Sequence, residues 1–236
     1  MLVPTGSGNA LRERPHAVIF DMDGLMLDTE PLAARAWTVA AQTIGIHFDD
    51  AVTPRLIGRN FPDCRALIGE HHGETYPVDE LMRAWHAAYD AIVAADGIAL
   101  KPGLMPLLSW LEAEAIPKAV ATSTRRSRAE AKLLHAGLAP RFAALVGGDE
   151  VAHGKPAPDI FLEAAARLGM AARTCLVLED SEPGVRAAIA AGMATIMVPD
   201  LMAPSEALLV HAPLVLPDLH AVLHHLAALP ATARVR

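Results

Sequence analysis

The stretch AVIFDMDGLMLDTE, residues 17 to 30, decides the fold of this chain. Its first four residues are apolar, which is typical of a buried strand, and two acids, Asp21 and Asp23, follow almost directly. A buried carboxylate is unfavourable unless it is paired, hydrogen-bonded or bound to a cation. The stretch therefore predicts a strand whose carboxyl end carries a compensated, charged site.

The composition limits the classes of protein to consider. The chain has 236 residues, of which 53% are hydrophobic, so it can bury a large core. A formal net charge of -7 argues against nucleic acid or an anionic membrane as the principal partner, because both require a basic surface. No apolar stretch reaches membrane-spanning length, and two cysteines are too few for a disulfide framework. We expect a cytoplasmic protein, and its oligomeric state is open.

Short β-rich segments alternate with helical patterns along most of the chain. This alternation predicts an α/β fold, with a Rossmann-like, doubly wound and mostly parallel sheet covered by helices on both faces. The predicted strands are AVIF at 17–20, KAVAT at 118–122, AALV at 143–146, CLVLE at 175–179, TIMV at 195–198 and LVL at 214–216.

One interval breaks the alternation, because only helical patterns occur between Glu30 and about Leu100. Roughly seventy residues are too many for one ordinary crossover connection. We therefore expect an inserted α-helical cap domain directly after the first strand. The predicted divisions are a flexible N-terminal arm at 1–14, a core at 15–30 and 101–230, the cap at 31–100 and a flexible tail at 231–236.

Polar residues at the ends of the predicted strands define a candidate site, since ligands of open α/β sheets bind at the carboxyl ends of the strands. These residues are Asp21 and Asp23 after the first strand, Thr122 at the end of the second, Lys155 in the loop after the third, and Glu179 and Asp180 at the end of the fourth. Several acids gathered at one edge repel one another and require a cation. Oxygen ligands that leave room for water favour Mg²⁺, which would attract a phosphate. Lys155 and the Thr122 hydroxyl would bind the remaining phosphate oxygens.

Four segments resemble the motifs of the haloacid dehalogenase-like superfamily, and they occur in the family's order over nearly the whole chain. They are FDMDGLMLDTE at 20–30, which matches the D-x-D-G of its phosphotransferases, AVATS at 119–123, GKPAPDIF at 154–161 and VLEDSEPGVRAA at 177–188. The helical insertion is similar to the cap of the β-phosphoglucomutase and sugar-phosphate phosphatase branch.

The resemblance implies a role for both acids of the first motif. Asp21 would be the nucleophile that attacks phosphorus and forms an aspartyl-phosphate. Asp23 would be the acid/base that protonates the leaving alkoxide and then activates water.

The resemblance also implies which residues hold the metal and the phosphate. The implied magnesium ligands are Asp21, the backbone carbonyl of Asp23, and Asp180, with Glu179 left open as a further ligand. Thr122, the Ser123 amide and Lys155 would hold the phosphoryl group and offset its charge.

A phosphatase and a phosphoglucomutase share this core chemistry, and the cap residues distinguish them. The mutases carry a histidine, an arginine and a lysine where this chain has Ala33, Phe61 and Trp85. The departure favours a Mg²⁺-dependent phosphatase acting on a small phosphorylated metabolite, such as a sugar phosphate or phosphoglycolate. A mutase-like phosphotransferase and a non-catalytic binding module are the alternatives. Arg59 and Asn60 are the candidates for recognising the leaving group, with an ordinary surface loop as the alternative.

Overall fold

The computed structural model describes residues 11–56, 61–200, 203–210 and 214–231. The chain divides into two compact units, which we call the core unit (Met1–Met26 with Leu100–Arg236) and the helical unit (Leu27–Ala99). Of the predicted arm at 1–14, only residues 11–14 are described. There, Arg14 forms an ion pair with Glu114 at 2.6 Å. The Arg14 guanidinium also lies 5.2 Å from the centre of the Trp110 ring.

The core unit is built on a six-stranded parallel sheet with the strand order β3-β2-β1-β4-β5-β6. The strands are β1 (Ala17–Phe20), β2 (Lys118–Ala121), β3 (Ala144–Val146), β4 (Cys175–Glu179), β5 (Ala194–Met197) and β6 (Leu214–Val215). Each of the six predicted strands is present, and the predicted doubly wound α/β class is confirmed.

The helices of the described residues follow in chain order. They are α1 (Glu30–Ile44), α2 (Thr53–Leu56), α3 (Phe61–His72), α4 (Val78–Asp96), α5 (Leu104–Ala113), α6 (Arg126–His135), α7 (Asp159–Arg167), α8 (Glu182–Ala190), α9 (Glu206–Leu209) and α10 (Leu219–Ala228). None of these helices combines the length and the apolar character needed to cross a bilayer.

The strand order fixes where a ligand can bind. The chain runs from β1 outward through β2 and β3, and then returns to the other side of β1 with β4. Ligands of doubly wound sheets bind beyond the carboxyl ends of the strands at such a reversal point. All four residues of β1 are fully buried, as expected for a central strand covered on both faces. The carboxyl ends of β1 and β4 are therefore the place to look for a site.

The helical unit has its own apolar interior. α1 and α4 pack along each other, and their buried side chains include Trp37 and Trp85, whose ring centres are 5.2 Å apart. Phe48 stacks on Trp37, and Tyr89 stacks on Trp85. These aromatic contacts add to the hydrophobic stabilisation of the unit.

Candidate active site

Asp21 lies at the carboxyl end of the central strand. Its backbone N–H donates to the Leu178 carbonyl at 3.0 Å, so the pairing of β1 with β4 continues one residue beyond Phe20. This pairing places Asp21 beside the end of β4, where Glu179 is the last residue of the strand and Asp180 follows it. Asp21 is 6% exposed, so its carboxylate needs a compensating charge.

Lys155 supplies that charge. Its Nζ donates to Asp21 Oδ1 at 2.5 Å, to Glu179 Oε1 at 2.6 Å and to the Ala121 carbonyl at 3.3 Å. Burial works against the ammonium ion, but the two carboxylates raise the pKa of Lys155 above its ordinary value. One buried cation thus connects the ends of β1, β2 and β4.

Glu179 is fully buried and uses both carboxylate oxygens. Oε1 accepts from Lys155, and Oε2 accepts from the Ser181 backbone N–H at 2.7 Å and from the Ser181 hydroxyl at 3.0 Å. The Ser181 hydroxyl also caps α8 by accepting from the Gly184 N–H at 3.3 Å. A Cβ at Gly184 would lie 1.7 Å from Glu179 Oε1, so this close packing requires glycine.

Three acids lie close enough together to contribute ligands to a metal ion. Carboxylate oxygens of Asp21, Glu179 and Asp180 lie within 4.8 Å of one another. Burial is the main reason why the pKa of Asp21 is raised to about 7. Lys155 lowers this pKa in part, and repulsion from Glu179 raises it further. Burial, followed by repulsion from Glu179 and Asp21, also raises the pKa of Asp180. Carboxylates this close together repel one another, and a bound cation would relieve the repulsion. Because all the donor atoms are oxygens, a hard divalent cation fits them.

Steric crowding explains why the D-x-D-G motif ends in glycine. Gly24 has a positive φ of 82°, and a Cβ on it would lie 2.4 Å from Asp180 Oδ2 and 3.4 Å from Asp200 Oδ2. Asp200 therefore belongs to the same edge of the sheet, where its Oδ1 accepts from Lys101 Nζ at 2.6 Å. The sequence interpretation did not include Asp200 or Lys101.

Asp23 is held by two side chains, of which the sequence interpretation placed Thr124 at the end of the second strand without a role and did not include Lys132. Its Oδ1 accepts from Lys132 Nζ at 2.6 Å, and its Oδ2 accepts from the Thr124 hydroxyl at 2.7 Å. Thr124 lies just beyond β2, and Lys132 lies on α6. The partners are 101 and 109 residues away from Asp23 along the chain, and no sequence motif marks Lys132.

The turn after β2 carries two of the three predicted phosphate-binding residues, Thr122 and Ser123. The Thr122 N–H donates to the Val146 carbonyl at 3.0 Å, and the buried Thr122 hydroxyl oxygen accepts from the Thr124 N–H at 3.1 Å. Ser123 is exposed. A Cβ at Gly148 would lie 2.3 Å from the Ser123 carbonyl, so the loop after β3 packs directly against this turn.

The remaining predicted residues lie in the helical unit. Arg59 and Asn60 fall outside the described residues, as does the side chain of Phe61. Trp85 is buried, and its indole N–H donates to the Ala33 carbonyl at 3.1 Å. Ala33 and Trp85 therefore connect α1 and α4 through this hydrogen bond.

The chain is similar in sequence and fold to known proteins. A family model described as a hydrolase, haloacid dehalogenase-like hydrolase, matches residues 15–192. The chain is 37% identical over 182 residues to the fructose-1-phosphate phosphatase YqaB of Escherichia coli (strain K12), and the match covers 77% of this chain and 95% of that protein.

Two further matches differ in how much of the relative they cover. The chain is 34% identical over 194 residues to the bifunctional riboflavin kinase/FMN phosphatase of Arabidopsis thaliana, covering 82% of this chain but only about half of that protein (51%). The crystal structure of CbbY from Rhodobacter sphaeroides in complex with phosphate aligns with a TM-score of 0.74 at 28% identity, covering 88% of this chain and 96% of that one.

Proposed function

Because the chain belongs to the haloacid dehalogenase-like hydrolase family, we propose that it is a Mg²⁺-dependent phosphatase of small phosphorylated metabolites. The single observation that supports this most is the contact between the buried Asp21 carboxylate and Lys155, next to two further acids at the edge of the sheet. A nucleophile, a cation and a metal-binding donor set are thereby combined in one place. Cys64 and Cys175 are buried and form no disulfide, which is consistent with our proposal of a cytoplasmic location.

The reaction proceeds in two displacements at phosphorus. An oxygen of Asp21 attacks the phosphoryl group, and the bond from phosphorus to the ester oxygen breaks. Asp23 gives its proton to that departing oxygen, so an alcohol leaves and an aspartyl-phosphate stays on Asp21. Asp23 then removes a proton from water, and the resulting hydroxide attacks phosphorus and releases inorganic phosphate and free Asp21.

Charge compensation makes the first displacement feasible. Lys155 lies against the nucleophile already and offsets the repulsion between its carboxylate and an incoming phosphate. Mg²⁺, held by the carboxylates of Asp21 and Asp180 and by the Asp23 carbonyl, would supply further positive charge at the phosphoryl oxygens. Thr122 and the Ser123 amide complete the phosphate-binding set.

We assign Glu179 to holding Lys155. Both of its oxygens already accept hydrogen bonds, one from the lysine and one from Ser181. In a Glu179→Gln variant, we expect unchanged affinity for Mg²⁺ by isothermal titration calorimetry together with a lower turnover rate. A loss of affinity of about tenfold or more would instead identify Glu179 as a metal ligand.

The substrate class follows from the relatives and the helical unit. The similarity to a fructose-1-phosphate phosphatase supports a sugar phosphate or another small phosphate ester. Ala33 and Trp85 form a hydrogen bond to each other and stand where the resembling mutases carry ionisable residues. This departure supports transfer of the phosphoryl group to water and not to a sugar hydroxyl. Arg59 and Asn60 are our candidates for recognising the leaving group.

A panel of phosphorylated metabolites tests the proposal. We expect phosphate release from one or more small sugar phosphates, loss of turnover with a chelator, and recovery with added Mg²⁺. Alanine at Arg59 and Asn60 should change the ranking of the substrates more than the turnover of 4-nitrophenyl phosphate. Absence of turnover with every ester and every divalent cation would favour a non-catalytic module.

A further inference from the structure

Lys132 makes a contact that the four motifs do not account for. Its Nζ lies 2.6 Å from Asp23 Oδ1, while the Thr124 hydroxyl donates to Oδ2. The Lys132 side chain is 14% exposed and that of Asp23 is 23% exposed. Both carboxylate oxygens of Asp23 are thus engaged, one by a charge and one by a neutral hydroxyl.

We propose that Lys132 is a positioning residue for Asp23, the acid/base of the phosphatase reaction proposed above, on which this inference rests. Both partners of the bond from Lys132 to Asp23 are ionised, which makes it stronger than the bond from the neutral Thr124 hydroxyl. When Asp23 acts, the Thr124 hydroxyl is the partner that is released. Lys132 keeps Oδ1 in place, and Oδ2 is presented to the leaving oxygen and then to water.

The helix that carries Lys132 is itself well anchored. Ala129 and Leu133 on α6 are buried in the core unit. At the start of α6, Arg126 Nη1 donates to the Leu145 carbonyl at 2.9 Å and to Glu150 at 3.1 Å. A positioning residue needs such a fixed backbone, because a mobile helix would leave its side chain in a variable position.

The simpler interpretation is a solvent-exposed ion pair without consequence, since most surface pairs contribute little. Two observations argue against it. Both side chains are mostly buried, and the carboxylate is held from both sides by groups on different segments. Held in this way, Asp23 is restricted to a narrow range of orientations, which acid/base catalysis requires.

The dependence on the leaving group tests the proposal. An alkyl phosphate expels a strongly basic alkoxide and needs the proton of Asp23, whereas 4-nitrophenyl phosphate expels a stable phenolate and hardly needs it. In Lys132→Met, we expect kcat/KM to fall about tenfold or more for the best alkyl phosphate and less than about threefold for the aryl phosphate. The ratio kcat/KM reports only the steps through release of the alcohol, so hydrolysis of the aspartyl-phosphate does not enter.

Lys118→Met is the matched control, because Lys118 is a buried lysine of the same unit that pairs with Glu112 at 3.1 Å, away from Asp23. We expect the control to keep the wild-type ratio between the two substrates. Lys132→Arg, which restores a cation, should recover most of that ratio. Affinity of Lys132→Met for Mg²⁺, measured by calorimetry, should stay within about twofold of wild type.

Three outcomes would overturn the proposal. They are an equal fall on both substrates, no fall on either, and the same selective fall in the Lys118 control. If Lys132→Met does not fold, Lys132→Gln carries the same comparison, because it keeps a hydrogen-bond donor and loses the charge. A wild-type protein that hydrolyses neither ester would refute the proposed function, and that result is separate from every outcome for Lys132.

Discussion

The interiors of the two units differ in what they bury. In the core unit, Asp21, Glu179 and the Lys155 side chain lie close together at the end of the sheet, almost without exposure to solvent. The helical unit instead buries aromatic rings, with Trp37 and Trp85 at its centre. Among the described residues, the buried charged side chains all belong to the core unit.

This difference indicates that the interior of the core unit serves a reaction and that the interior of the helical unit serves stability. Burial of charge is unfavourable for folding and is retained where a reaction needs reactive groups with shifted pKa values. Burial of aromatic surface stabilises the fold and provides no reactive group. Substitutions in the core site should therefore act mainly on turnover, and substitutions in the aromatic cluster mainly on stability.

The largest effect is expected for Asp21→Asn. An amide cannot form the acyl phosphate, so phosphate release should fall at least about a thousandfold. Lys155 keeps Glu179 and the Ala121 carbonyl as partners, so the melting temperature should stay within about 4 °C of wild type. Activity above about one per cent of wild type would show that Asp21 is not the nucleophile.

Trp85→Ala should show the opposite pattern. The change removes a buried indole, its hydrogen bond to the Ala33 carbonyl and its contacts with Trp37 and Tyr89. We expect the free energy of unfolding to fall by about 3 kcal/mol, measured by urea denaturation. A loss below about 1 kcal/mol would mean that the aromatic cluster is not the main stabilising feature of the helical unit.

Gly184→Ala tests how closely the core site is packed. The new Cβ would overlap Glu179 Oε1, so either the carboxylate or the start of α8 must move. We expect a loss of about 2 kcal/mol in stability together with reduced turnover, because Glu179 holds Lys155. Unchanged turnover would separate Glu179 from catalysis.

Gly69→Ala in the helical unit is the matched comparison and the smallest effect. Gly69 lies within α3, and a Cβ there would only touch Val78 at 3.8 Å. We expect a gain of about 0.5 kcal/mol, since alanine favours a helix over glycine. A destabilised variant would show that α3 does not tolerate an added methyl group.

Much of the fold could be predicted because apolar runs and helical periodicity are local features of the sequence. The six strands appear in the sequence as short β-rich segments bounded by helical patterns, and each forms part of the sheet. In the same way, the spacing of Asp21 and Asp23 and the lysine of GKPAPD are visible in single short segments.

The partners of these acids could not be predicted, because they depend on side-chain positions in three dimensions. Lys132 and Asp23 are 109 residues apart, and Lys101 and Asp200 are 99 residues apart. Neither lysine stands in a motif, and a lysine is usually an exposed residue. Glu179 likewise accepts hydrogen bonds from both Lys155 and Ser181. These bonds depend on side-chain conformations, which sequence patterns do not reveal.

The positions of the tryptophans have a practical consequence for spectroscopy. Trp37 and Trp85 are the two indoles of the helical unit, and Trp110, beneath the Arg14 guanidinium, is the single indole of the core unit. A Trp110→Phe variant would emit from the helical unit alone, and a Trp37→Phe, Trp85→Phe double variant from the core unit alone. Intrinsic fluorescence can thus follow the unfolding of each unit separately during denaturation, without an attached dye.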